Sequence, residues 1–150
     1  MSLQDWVRNG WLTDHQSSPQ EIADLLAVVE RDLNDCQSKD LSEDWQLAIA
    51  YNAALQLAVV ALASNGYRAT RDAHHYRVIQ SLTFTLNVDT KLVAKLDAFR
   101  KKRNVSDYER VGLVSEKEAQ EMVALATQLR SNVLAWLKKH HPELLRQKHS

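Results

Sequence analysis

Apolar positions along the chain fall at helical rather than alternating spacing, and the breaks between them carry helix-boundary chemistry. Residues 3–12 hold Leu3, Trp6, Val7, Trp11 and Leu12, a short amphipathic piece interrupted near Gly10. Ser18-Pro19-Gln20-Glu21 supplies an N-cap, a proline at the first helical position and a glutamate three residues after the cap. Ile22, Leu25, Leu26, Val29 and Leu33 continue that helix on one stripe. Ser42 caps the next, which from Trp45 to Leu62 is apolar on nearly every face, the pattern of the most buried helix of a bundle. Asn65-Gly66 ends it with a left-handed turn.

A fourth helix is predicted over residues 71–86, with His75, Ile79, Leu82 and Leu86 on one stripe. A fifth opens at Asp89 and closes near Asn104, followed by a loop containing Gly112. Ser115 and Glu118 form a second capping box, opening a long helix that turns Val123, Ala126, Leu129, Val133, Trp136 and Leu137 inward and ends at His141-Pro142. Residues 143–150 read as a frayed tail, and no segment reads as a strand. The expected fold is all-α: a compact helical bundle of five or six helices in a single domain over residues 1–150, with its core at about 18–141.

Composition narrows this further. Three glycines and two prolines are few for the length, which disfavours a turn-rich β protein. The chain is formally neutral, yet its charge is segregated. Residues 1–50 hold three basic and ten acidic side chains, whereas residues 91–110 hold seven basic and three acidic. Such a molecule either pairs an acidic helix with a basic one internally or presents its basic end to phosphates or a second copy. No secretory leader is evident and no uninterrupted apolar run reaches the ~18 residues of a membrane span, so a cytoplasmic protein without a membrane is expected.

The chemistry centres on Phe99-Arg-Lys-Lys-Arg-Asn104. At about 3.6 residues per turn, Leu92, Leu96, Phe99 and Arg103 share one face, while Lys101 and Lys102 point away from it. A guanidinium placed inward costs several kcal/mol unless it is paired, so Arg103 has either an acidic partner (Asp44, Asp72 or Asp97) or a cleft that admits an anion. Arg100 lies one turn earlier and can reach the same phosphate or carboxylate, and Asn104 follows. His75 continues an apolar stripe, where it serves as a core histidine or as a general base beside a phosphate. Adjacent His74 and His75 point about 100° apart, which makes no natural metal site. Neither a metal nor a cofactor is expected. Asn52 inside the apolar helix needs a hydrogen-bond partner, the four tryptophans read as core or interface aromatics, and Cys36 has no evident activating base.

Three stretches, in order, resemble one known family. They are Ala50-Tyr-Asn-Ala-Ala-Leu-Gln-Leu-Ala58, Gly66-Tyr67-Arg68 followed by His74-His75, and Phe99-Arg-Lys-Lys-Arg-Asn104. Together, over residues 18–140, they resemble the HEPN domains. That resemblance implies a homodimeric helical bundle whose arginine–asparagine signature lines a cleft near the interface. Active HEPN members are metal-independent RNases, many of them toxins of toxin–antitoxin systems; others are non-catalytic partners of small nucleotidyltransferases. The ribonuclease signature is an arginine, a polar residue, a short spacer and a histidine. Arg103 and Asn104 match its first half, and Tyr108 stands where the histidine belongs. Tyrosine, with a pKa near about 10, is a poor base.

The expectation is therefore a module that binds RNA, a nucleotide or a nucleotidyltransferase partner through Arg100, Arg103, Asn104 and Tyr108. The alternatives are a metal-independent endoribonuclease using Arg103 with His75 or Tyr108, and a structural or interaction protein with Arg103 paired internally.

Overall fold

A computed structural model of the chain describes residues 1–108 and 113–146, with the backbone alone described over 105–108. Six α-helices appear among the described residues: α1 (Leu3–Arg8), α2 (Pro19–Asp35), α3 (Glu43–Ser64), α4 (His74–Thr85), α5 (Thr90–Tyr108) and α6 (Glu116–His140). The fold is an all-α bundle. Helix α3 is its axis: α2, α4, α5 and α6 all pack against it. Its centre is buried all round, with Leu47, Ala50, Ala53, Leu57, Ala58, Val60 and Ala61 closed to solvent. By length and composition α3 is apolar enough to cross a membrane, but 78% of its apolar window is buried against the other helices. Its hydrophobicity is spent on the core.

Helix starts follow the caps in the sequence. Ser18, Ser42 and Ser115 each accept a hydrogen bond from the backbone N–H three residues on, and Ser115 with Glu118 makes the full reciprocal box. At Ser18 the box is left half-made. The Glu21 carboxylate instead reaches His15, with both oxygens 2.8 Å from Nε2. Gly66 ends α3 at φ +92°, a left-handed conformation that suits glycine.

Three expectations are corrected. Trp11 and Leu12 do not extend the first helix; Leu12–Asp14 forms a strand, β1, antiparallel to β2 (Tyr67–Ala69), with Leu12 opposite Ala69. Helix α5 does not stop near Asn104, because no glycine or proline interrupts it, and its backbone continues through Tyr108. Of the tail expected to fray over 143–150, residues 143–145 belong to a 3-10 turn, Pro142–Leu145, that buries Leu144, and residues 147–150 lie outside the described residues. Trp45, read as a core or interface aromatic, is 64% exposed and so lies outside the core. The acidic helix α2 also packs chiefly on α3, α6 and the 3-10 turn, whereas Lys95, Arg100, Lys101 and Lys102 of α5 pair within α5 and with α6.

Candidate functional site

Helix α5 buries Val93, Leu96 and Phe99, and the next position on that face is Arg103. Its half-buried side chain holds the guanidinium carbon 5.6 Å from the centroid of the Tyr51 ring, within cation–π range. Tyr51 comes from α3 and is 1% exposed. On α4, the ring of His75 stands 6.2 Å from the same tyrosine. Helices α3, α4 and α5 pack pairwise, so three elements bring one imidazole and one guanidinium to a shared phenol.

Arg100 joins this cluster in a different way. Its Nε donates to Asp97 Oδ1 at 2.8 Å, and its guanidinium lies 5.6 Å from the Tyr76 ring. Lys101 is 3.5 Å from the same carboxylate and largely exposed, while Lys102 reaches Glu118 of α6 at 3.1 Å. Asp97, one of the three carboxylates considered for Arg103, thus serves Arg100 and Lys101. Asn104 is half-buried inside a continuing helix, so it does not cap the helix end. The Tyr108 side chain lies outside the described residues.

The electrostatics of the cluster are one-sided. Burial pushes the His75 pKa below its ordinary 6.5, and the positive charge of His74, Arg103 and Arg100 pushes it further down. At neutral pH it is an uncharged imidazole able to accept a proton. Burial pushes Tyr51 up to about 12, against the opposing pull of Arg100 and Arg103. It remains a neutral phenol, and its hydroxyl makes no hydrogen bond among the described residues. Tyr51 is therefore a spacer between His75 and Arg103 and not a base. Strained backbone lies just upstream: Ala73 holds φ +50° immediately before the two histidines.

His75 also lines a cleft of about 380 Å³ between α2, α3, β2 and α4. Asn52 and Gln56 of α3, Tyr67 and Arg68 of β2, and His74 beside His75 supply its polar and ring surfaces. Asn52 finds the partner its burial requires: Nδ2 donates to Asp32 Oδ2 at 2.7 Å, tying α3 to α2. Asp32 in turn accepts from Arg31.

Among the described residues, no group of three or more histidine, cysteine, aspartate or glutamate side chains gathers as a metal site would require. Cys36 is fully buried, and burial raises its thiol pKa, so it is no nucleophile. Sequence reasoning missed Tyr51, Gln56, Arg68 and His15. Gln56 had a chemical signal, as a second amide one turn after Asn52, and Tyr51, Gln56 and Arg68 all lie within the stretches that carry the family resemblance. Comparison of the chain with protein-family models, with curated proteins and with solved structures found no match.

Proposed function

We propose that the Tyr51–His75–Arg100–Arg103 cluster binds the phosphate of an RNA or a nucleotide, making this a HEPN-like recognition module. The observation that carries this reading is the meeting of Arg103 and His75 around one buried tyrosine, with Arg100 one turn away. Two arginines and an imidazole offer several N–H donors to phosphate oxygens, and arginine binds such groups with two parallel bonds. The HEPN resemblance supports the ligand class. It also supports a cytoplasmic homodimer acting with a nucleotidyltransferase partner, in the manner of toxin–antitoxin pairs.

Fluorescence anisotropy with single-stranded RNA in excess chelator tests the reading. Arg103→Ala is expected to weaken binding roughly 10- to 100-fold, the loss of charge-assisted bonds worth about 1.5–3 kcal/mol. A variant that binds as tightly as the parent rejects it. A variant that instead unfolds several kcal/mol more easily, in a protein that binds no RNA, assigns Arg103 to structure.

A neutral His75 beside Arg103 also favours a second reading, metal-independent RNA cleavage. In it His75 takes the proton of a 2′-hydroxyl, the oxygen attacks the adjacent phosphorus, and Arg103 stabilises the pentacoordinate phosphate. The P–O5′ bond breaks to leave a 2′,3′-cyclic phosphate and a 5′-hydroxyl, which takes up a proton. RNA cut in chelator by the parent but by neither His75→Gln nor Arg103→Ala meets this reading. Intact RNA after prolonged incubation with the parent ends it.

A further inference from the structure

The cleft beside His75 has a chemical character different from the arginine cluster. Its volume, about 380 Å³, lies in the range of small-molecule sites. Its one lining carboxylate, Glu21, is tied up with His15, and its one arginine, Arg68, comes from the exposed middle of β2. Two amides, Asn52 and Gln56, also line it. Asn52 has a settled orientation, because its partner Asp32 can only accept, so nitrogen faces Asp32 and Oδ1 faces elsewhere. Gln56 lies four residues on, along the same helix face, and makes no hydrogen bond among the described residues. Its amide offers a donor and an acceptor side by side. The rings of Tyr67, His74 and His75 and the apolar side chains of Leu55, Val59 and Val78 complete the lining.

A side-by-side donor and acceptor in a cleft that also holds three rings suits an uncharged heterocycle and not a simple anion. We infer that this cleft is a base-reading subsite that takes adenine. The Gln56 amide donates to a ring nitrogen and accepts from the exocyclic amino group, the pairing that side-chain amides make with adenine; cytosine presents the same pair of groups on a smaller ring with less surface to stack. The rings of Tyr67, His74 and His75 supply stacking surface. Asn52 Oδ1 accepts a further N–H or a ribose hydroxyl. The inference deepens the phosphate-binding reading and rests on it for the ligand class, since His75 lines the cleft and shares Tyr51 with Arg103.

The experiment is calorimetric titration of the full chain with adenosine, guanosine, cytidine and uridine, none of which carries phosphate. Ribose 5-phosphate is titrated in parallel. Adenosine is expected to bind at least about 10-fold more tightly than the other three, an advantage of the size one paired base edge confers. Gln56→Leu and the isosteric Gln56→Glu, each checked for an unchanged melting curve, should lose that preference, while Arg103→Ala should keep it. Ribose 5-phosphate should show the reverse dependence, weakened by Arg103→Ala and indifferent to Gln56. Absence of nucleoside binding, or adenosine binding untouched by both Gln56 variants, overturns the base subsite alone. Adenosine binding that survives while Arg103→Ala leaves ribose 5-phosphate and RNA binding unaltered overturns the phosphate reading alone.

Discussion

Tyr51 buries a hydroxyl that no other described group satisfies, at the point where His75 and Arg103 meet. An unsatisfied buried polar group costs about 1–3 kcal/mol, whereas the ring itself supplies packing and a cation–π face. Tyr51→Phe keeps the ring and deletes the liability. Urea denaturation at pH 7 should therefore find the variant as stable as the parent, or more stable by up to about 1 kcal/mol. A loss of more than that would show that the hydroxyl has a partner in solution. Arg103 and His75 were legible as site residues because each continues an apolar stripe whose phase can be counted. Tyr51 was not, because α3 is apolar on every face and gives no phase from which to choose one residue.

Among elements, α4 starts without help. Its N-cap is Ala73 in the left-handed region, with no side-chain hydrogen bond to the first turn. A non-glycine residue there is disfavoured by about 1–2 kcal/mol, and a glycine gives back roughly 0.5–1 kcal/mol through greater freedom in the unfolded chain. Ala73→Gly should raise stability by up to about 1 kcal/mol, seen as a higher thermal midpoint. A lower midpoint would reject the strain. Helices with serine caps were readable to within a residue or two, since a cap is a local chemical signal. The ribbon of β1 and β2 was not, because three residues are too few to establish alternation and its pairing joins positions far apart in sequence. The half-made box at Ser18 failed for a similar reason: His15, outside the helix, takes the Glu21 carboxylate that the local pattern assigned to the cap.

At the scale of the molecule, two groups of one cluster bound the pH range of stability from opposite sides. His75 has its folded pKa pushed below 6.5, so the unfolded chain binds the proton more readily. Its contribution is whole above about 6.5 and is lost as pH falls through the folded value. The carboxylates with lowered pKa, Asp5 and Glu118, act in a separate window, below their ordinary 3.8 and 4.5. Tyr51 behaves in the opposite sense. Its folded pKa, about 12, exceeds the ordinary 10.0, so its contribution is whole below about 10 and lost as pH rises toward 12. Full loss over that interval is worth roughly 2–3 kcal/mol. Urea midpoints measured from pH 5 to 11 should form a plateau between about 6.5 and 10 that falls at both ends. Tyr51→Phe should flatten the alkaline fall and spare the other, and His75→Gln should shallow the acid fall and spare the alkaline one. If both limbs persist in both variants, the titrating groups lie elsewhere and the cluster is more open to water than its burial implies.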